Sequence, residues 1–295
     1  DDGFVFENAI APGPTTPESL PPTFTGWYPV SPIGKHGDRL TNAQDRIGEH
    51  IRTRTTIPER LSEEGYTTAG FTPNPWTSKY FGFDKGFDHF EDYMSVDISS
   101  TLWERMLEGR NQPVFKGLRL LLSWVQRENV FKPWEAFFDN IVSWIETAKE
   151  PYFLWIFLLD VHFPYLPSSE FRSQPRWKEY EANLRLYLES QQTEYSSRVH
   201  DQLKTAYLDS IRYVDSFFSR LRTDVDDESY IIVHGDHGDA FGEHGTYTHQ
   251  HELFEENIHV PLLISGGPRG THRPPVSLRS LPDIVYGLAM DDDVP

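Results

Sequence analysis

Three apolar runs stand out along the chain, and each is short enough to be a single strand. Residues 151–159 read PYFLWIFLL, residues 230–233 read YIIV, and residues 259–265 read HVPLLIS. Runs without alternating polar positions are typical of strands that are buried on both faces, as in a parallel sheet. A further strand is predicted within residues 66–72, where the β-rich sequence YTTAGFT stops at a proline.

Segments with helical spacing of apolar positions separate these runs. We predict helices at residues 47–64, 118–125, 134–148 and 203–222. Residues 1–40 are rich in Pro, Gly and Thr, which favours a loop with a short helix starting at Pro17. Helices that alternate with apolar strands predict an α/β fold with a mixed, mostly parallel central sheet flanked by helices. No repeat or low-complexity linker divides the sequence, so we expect one domain over residues 1–295.

The composition narrows the class of protein. With 38% hydrophobic residues the chain can bury a substantial core, and a net charge of -18 repels nucleic acid over most of the surface. An acidic surface with more Arg than Lys predicts a halophilic protein, and an ordinary acidic enzyme is the alternative. The chain has no cysteine, which excludes thiolate sites. No apolar run reaches the roughly 20 residues that span a bilayer, so we predict a cytoplasmic protein.

Polar side chains follow two of the apolar runs. Asp160 and His162 come after the first run, and Asp236 and His237 come after the second. Because loops from several strands meet at the carboxyl edge of a parallel sheet, we expect these side chains to converge. A carboxylate beside an imidazole suits a metal ion, and the glycines of the sequence HGDHG let both side chains face one ion. The alternative is a glycine-rich turn with solvated polar groups.

Longer motifs carry a resemblance to a known family. The motifs, in chain order, are EEGYTTAGFTPNPW, GFDKGFDHF, LDVHFPYLP, AYLDSIRYVDSFFSRL, GDHGDAFGEHG, LFEENIHVPLLI and SLRSLPDIVYGLAM. Together they cover nearly all of the chain and resemble the sulfatase family of the alkaline-phosphatase-like superfamily. The resemblance implies an alkaline-phosphatase-like α/β sandwich and the cleavage of sulfate or phosphate esters of small molecules or glycans. It also implies that Asp236 and His237 bind a divalent metal ion, most simply Ca²⁺, with Mn²⁺ and Zn²⁺ as alternatives.

The resemblance also points to a nucleophile. Sulfatases use a formylglycine made from Cys or Ser shortly before a Thr-Gly pair, and phosphodiesterase relatives place an unmodified Thr there. The pair is Thr25-Gly26 in this chain, and the matching position is Thr16, with Thr15 as the less favoured neighbour. A metal ion held by Asp236, His237 and the hydroxyl would lower the hydroxyl's pKa. The alternative is that the threonine only caps a helix.

Two histidines match the substrate side of the family. His249 matches a position that faces the leaving group or a transferred oxygen, and His162 matches the other substrate-side histidine. Either imidazole could donate to oxygens of the ester or protonate the leaving alkoxide. The alternatives are a strand-end cap for His162 and a surface position for His249. The remaining histidines between residues 234 and 259 have weaker claims, and His36 matches a structural element.

One family feature has no counterpart in the sequence. Members begin with a strand that ends in metal-binding carboxylates, whereas residues 1–9 resemble a later segment of the family. We therefore expect the first strand to be missing and the metal to bind weakly to residues 1–295, since Ca²⁺ takes about 6 to 8 oxygen ligands. The predicted activity is ester hydrolysis. The alternatives are a phospho-alcohol transferase of the same superfamily and a degenerate relative that acts as a binding module.

Overall fold

The computed structural model describes residues 3–29, 40–93, 132–188, 194–225 and 229–291. Its strands are β1 (Gly3–Ile10), β2 (Thr67–Thr72), β3 (His89–Asp92), β4 (Tyr152–Ile156), β5 (Ile231–His234), β6 (Ala240–Phe241), β7 (Tyr247–Thr248), β8 (His259–Ser265), β9 (Gly270–His272) and β10 (Val276–Ser277). Its helices are α1 (Thr16–Thr25), α2 (Leu40–Arg52), α3 (Ile57–Glu63), α4 (Phe138–Thr147), α5 (Arg176–Leu188), α6 (Ser197–Leu221), α7 (Glu255–Ile258) and α8 (Leu281–Ala289). The predicted helix at 118–125 and His36 lie outside the described residues.

The strands form an α/β fold with mixed sheets, which confirms the predicted fold class. A five-stranded sheet has the order β10-β1-β8-β5, with β9 also paired to β1, and a three-stranded sheet has the order β3-β2-β4. The three-stranded sheet is parallel throughout, but β8 runs antiparallel to both β1 and β5. The described residues thus form two main sheets where the sequence predicted one, and helices flank them.

The three apolar runs are strands, but two of them are less buried than predicted. In β8 the buried positions alternate along the strand, whereas every residue of β4 and β5 is partly exposed. Each of these two strands has a single neighbour in the described sheets, β2 for β4 and β8 for β5. The partial exposure follows from this position, because a strand at the end of a sheet lacks a neighbour on one side.

The N-terminal segment is more ordered than its composition predicts. The loop prediction for residues 1–40 is wrong for β1, which pairs with β8 and buries Phe6 and Ala9 in the core. Helix α1 also runs for 10 residues and ends at Gly26, which has a positive φ of 76°. Tertiary pairing overrides the local turn propensity in this segment.

The predicted helix at residues 47–64 is two helices, α2 and α3. The side chain and backbone of Thr56 form a capping box with Glu59, and Pro58 lies in the first turn of α3. A capping box starts a new helix because it satisfies backbone N–H groups that a continuous helix would bond internally. Among the described residues, no helix is long and apolar enough to cross a membrane.

Apolar side chains from sheets and helices form the core. Phe6, Leu262 and Ile284 belong to a cluster between β1, β8 and α8. A second cluster joins β2, α4 and α6 and includes Phe71 and Phe217. These clusters fix the strands whose ends carry the candidate functional residues.

Candidate active site

Thr16 is the first residue of α1, and its side chain is directed at the segment after β5. Its hydroxyl oxygen lies 3.2 Å from Nε2 of His237, and the residue is only 6% exposed. The neighbouring Thr15 is the N-cap residue, and its hydroxyl donates to the Glu18 carboxylate over 2.9 Å. The Thr16 side chain is therefore not the helix cap, and the Thr15 hydroxyl is engaged with its own helix.

The loop after β5 holds His237 in one orientation. Its Nδ1 lies 3.1 Å from the carbonyl oxygen of Gly238, to which it donates. The N–H of Gly238 donates to the Asn257 carbonyl over 2.8 Å, and the Asn257 side chain donates back to the Gly238 carbonyl over 3.3 Å. A Cβ at Gly238 would lie 2.2 Å from the Glu256 carbonyl oxygen, so only glycine fits. With the proton on Nδ1, Nε2 carries a lone pair directed at Thr16.

Asp236 adds a carboxylate to this group. One of its oxygens, Oδ2, is 3.8 Å from Nε2 of His237. Since Thr16 lies 3.2 Å from the same nitrogen, its oxygen and the Asp236 oxygen are at most 7.0 Å apart, the sum of the two distances. This Asp236 oxygen is buried and has no hydrogen-bond partner among the described residues. A cation is the natural partner for such a group, so the three residues fit part of a metal ligand set.

His249 reaches the same place from the loop after β7. Its ring centroid lies 4.1 Å from that of His237 and 5.3 Å from that of His162. Its Nδ1 lies 2.7 Å from Oδ1 of Asp239, and the other Asp239 oxygen accepts a hydrogen bond of 2.8 Å from the Tyr165 hydroxyl. The sequence predictions missed Asp239 and Tyr165. Both stand in the motifs that were singled out, two residues after His237 and three residues after His162.

His162 lies in the loop after β4. Its Nδ1 is 2.6 Å from the carbonyl oxygen of Phe163, and its backbone N–H donates to Leu159 over 2.9 Å. The ring faces His249. The structure therefore brings together all five predicted residues, Thr16, His162, Asp236, His237 and His249, at one end of the two main sheets.

The buried charges shift the pKa values in opposite directions. Burial raises the pKa of Asp239, but the hydrogen bond and charge of His249, with the charges of His237 and His162, hold it well below its usual range. Burial lowers the pKa of His249, but the hydrogen bond and charge of Asp239 outweigh burial and raise it. Burial, followed by the charge of His249, lowers the pKa of His162. Near neutral pH, His249 is the imidazole best able to hold a proton for donation.

Comparisons with known proteins agree with this architecture. The sequence profile of the Sulfatase family matches residues 1–287. The chain belongs to the Sulfatase family. No curated protein sequence matches it.

Several solved structures share the fold of this Sulfatase-family chain. The phosphonate monoester hydrolase of Agrobacterium radiobacter has a TM-score of 0.64 at 16% identity, over 98% of this chain and 67% of that one. The C-terminal periplasmic domain of phosphoethanolamine transferase EptC from Campylobacter jejuni has a TM-score of 0.60 at 14% identity, over 97% and 77%. The corresponding EcEptC domain from Escherichia coli, in complex with Zn, has a TM-score of 0.61 at 12% identity, over 97% and 71%.

A second set of potential metal ligands overlaps the first in this Sulfatase-family site. Ligand atoms of His237, Asp239 and His249 all lie within 4.8 Å of one another. The other histidines between residues 234 and 259 have contacts of their own. His234 contacts the Gly235 carbonyl, His244 stacks on Phe254, His251 contacts Glu18, and His259 contacts the Glu7 carbonyl at the start of β8.

Proposed function

We propose that this chain cleaves sulfate or phosphate esters with the Thr16 hydroxyl oxygen as nucleophile. The observation that carries this proposal is the 3.2 Å contact between that oxygen and Nε2 of His237 at the first residue of α1. Nearby backbone N–H groups at the start of a helix favour an oxygen that becomes negatively charged. Membership of the Sulfatase family supports ester cleavage as the reaction class.

Thr16 acts as the nucleophile, and the two histidines face the leaving group and the transferred group. The Thr16 hydroxyl gives its proton to solvent water, its oxygen forms a bond to the sulfur or phosphorus atom, and the bond from that atom to the ester oxygen breaks. His249 gives a proton to the departing ester oxygen, and the sequence resemblance places His162, whose ring faces His249, beside the transferred group. A water molecule or an acceptor hydroxyl then attacks the sulfur or phosphorus atom of the Thr16 adduct and gives its proton to His249, which the first step left neutral, and the bond to the Thr16 oxygen breaks. Hydrolysis follows in the first case and transfer in the second.

Asp236, His237 and Thr16 would hold a divalent metal ion. When bound, the ion supplies positive charge that lowers the pKa of the Thr16 hydroxyl. The unpartnered Asp236 oxygen and the lone pair on His237 Nε2 support this assignment. Calcium is the ion expected from the sequence resemblance. An imidazole nitrogen suits Zn²⁺ or Mn²⁺ better, and one similar structure is a complex with Zn.

A phosphoethanolamine transferase among the similar structures favours one second candidate, a phospho-alcohol transferase. The same covalent Thr16 adduct serves both reactions, so the acceptor distinguishes them.

Two further predictions from the sequence remain proposals, a halophilic protein and a cytoplasmic location. Two of the similar structures are of periplasmic domains.

The test is turnover of aryl sulfate, aryl phosphate, aryl phosphonate and phosphodiester with Ca²⁺, Mn²⁺ or Zn²⁺. We expect Thr16→Ala to lower turnover by about 1,000-fold or more, because it removes the attacking atom. Thr15→Ala is the matched control and should keep most of the turnover. Mass spectrometry should find the covalent group on Thr16 alone, and an added alcohol acceptor should change the product only for a transferase.

Turnover that survives Thr16→Ala would refute the proposed nucleophile, and absence of turnover in the unchanged protein would favour the binding module.

A further inference from the structure

We infer that Asp239 and Tyr165 are positioning residues that fix the His249 ring with Nε2 directed at the leaving group. This inference rests on the proposed function. The three side chains form a continuous chain of hydrogen bonds, 2.8 Å from the Tyr165 hydroxyl to Asp239 and 2.7 Å from Asp239 to Nδ1 of His249. Because Nδ1 is engaged, Nε2 is the nitrogen that can serve the reaction.

Tyr165 is itself immobilised, which makes it a fixed end for this chain. Tyr165 is 0% exposed. Its backbone N–H donates to the Asn183 side chain over 2.9 Å, and the same side chain donates to the Tyr165 carbonyl over 3.1 Å. Its ring packs on Tyr207 and Phe241 at centroid distances of 5.3 and 5.7 Å. A phenol held on all sides fixes the carboxylate that accepts its hydrogen bond, and the carboxylate fixes the imidazole.

The hydrogen bonds of Asp239 indicate that it positions His249 and does not bind the metal ion. Each Asp239 oxygen already accepts one hydrogen bond, whereas Oδ2 of Asp236 has none among the described residues. A carboxylate whose two oxygens are engaged orients a neighbouring group, as the outer carboxylates of histidine ligands do. Asp236 is therefore the better metal ligand of the two, and Asp239 belongs to His249.

The experiment compares esters with a good and a poor leaving group. A general acid matters little when 4-nitrophenolate leaves and matters much when phenolate or an alkoxide leaves. For the phenyl ester we expect a loss of about 100-fold in Asp239→Asn and about 10-fold in Tyr165→Phe, the range found for outer-shell partners. For the 4-nitrophenyl ester the loss should stay within about 3-fold. Tyr207→Phe, the same change on the adjacent ring, is the control and should leave the ratio of the two rates unchanged.

Two further measurements complete the test. Bound metal, measured by elemental analysis, should be the same in Asp239→Asn and in the unchanged protein. In ¹⁵N-histidine NMR spectra, which do not depend on turnover, neutral His249 should carry its proton on Nδ1 and lose this preference in Asp239→Ala. Thr16→Ala should abolish both reactions without changing the NMR signal, so failure of the nucleophile and failure of this inference are distinguishable.

The inference is overturned if the Asp239 and Tyr165 variants slow both esters equally. It is also overturned if Asp239→Asn loses the metal, which would make Asp239 a ligand. Retention of the Nδ1 proton in Asp239→Ala would have the same consequence, because the carboxylate would then not determine the tautomer.

Discussion

Two carboxylates that follow the apolar strands β4 and β5 along the chain respond to burial in opposite ways. Asp160 follows the run that contains β4, and burial raises its pKa to about 7. The charge of Glu135 adds to the rise, and backbone hydrogen bonds from Trp134 and from its own N–H oppose it. Asp239 follows β5, and its imidazole and phenol partners keep its pKa below the usual range in spite of burial. Both residues lie in loops that follow the carboxyl ends of these strands, where the candidate site residues also lie.

The difference shows that partners, and not position, decide which buried carboxylate stays charged. Asp160 accepts neutral backbone hydrogen bonds, that of Trp134 on Oδ1, and its Oδ2 is buried with no partner among the described residues. Asp239 faces a group that can carry a positive charge. A carboxylate without such a partner takes up a proton, and one with it holds its neighbour in the charged form.

The largest effect expected from this comparison is on stability. Asp239→Leu leaves the His249 imidazole and the Tyr165 hydroxyl buried without their shared acceptor. We expect the free energy of unfolding to fall by about 3–5 kcal/mol, as when one partner of a buried pair is removed. Urea unfolding at pH 7 measures this, with Asp239→Asn as the isosteric control that should lose less. A loss below about 1 kcal/mol in the leucine variant would show that the pair does not stabilise the fold.

An effect of intermediate size is expected at Asp160, whose contribution to stability should depend on pH. Its pKa is raised from 3.8 to about 7, so the folded chain binds the proton more tightly than the unfolded chain. This contribution to stability is complete below pH 4 and is lost as pH rises through 7.

The variant Asp160→Asn lacks this titration. As the pH rises from 4 to 8, the unchanged protein should lose stability and the variant should not. The difference in unfolding free energy, variant minus unchanged protein, should therefore increase by about 1–3 kcal/mol over this range. Denaturant unfolding across that range gives the two slopes, and Glu135→Gln, which removes the neighbouring charge, should give an intermediate slope. Parallel pH profiles for all three proteins would contradict the prediction.

The smallest effect distinguishes surface charge from the buried pair. Salt shortens the screening length from about 10 Å at 0.1 M to about 3 Å at 1 M, so it weakens repulsion on a surface of net charge -18. We expect the melting temperature to rise by about 2–4 °C for each kcal/mol gained between dilute buffer and molar KCl. The ratio of rates for the two aryl esters should not change, because the Asp239–His249 pair is shielded from salt. A flat or falling melting temperature would contradict the halophilic prediction.

Local pattern predicted much of the fold, and long-range pairing decided the rest. The apolar runs became β4, β5 and β8, because short runs of apolar residues favour strands, although β4 and β5 are less buried than the runs predict. The antiparallel direction of β8 and the inclusion of β1 depend on which strands pair, and their partners lie far apart along the chain. Neither the direction of β8 nor the inclusion of β1 can be predicted from the sequence of one segment alone.

The same distinction holds for the site. Thr16, Asp236, His237, His249 and His162 could be named because they stand in motifs, and the structure brings them together, although their roles remain predictions. Tyr165 could not be named, because its role depends on a contact with Asp239 that is 74 residues away. Asp239 stands in the motif GDHGDAFGEHG, but the resemblance gives roles to Asp236 and His237 and none to Asp239.

The close approach of Gly238 to the Glu256 carbonyl limits how this site can change during evolution. Any side chain at 238 would push the loop after β5 away from the segment that leads into β8, and His237 and Asp239 would move with it. A lineage that acquires a new substrate must therefore vary residues outside this loop. Leu253, which is 67% exposed and lies outside this loop, is such a position, so diversification is expected there while the loop stays unchanged.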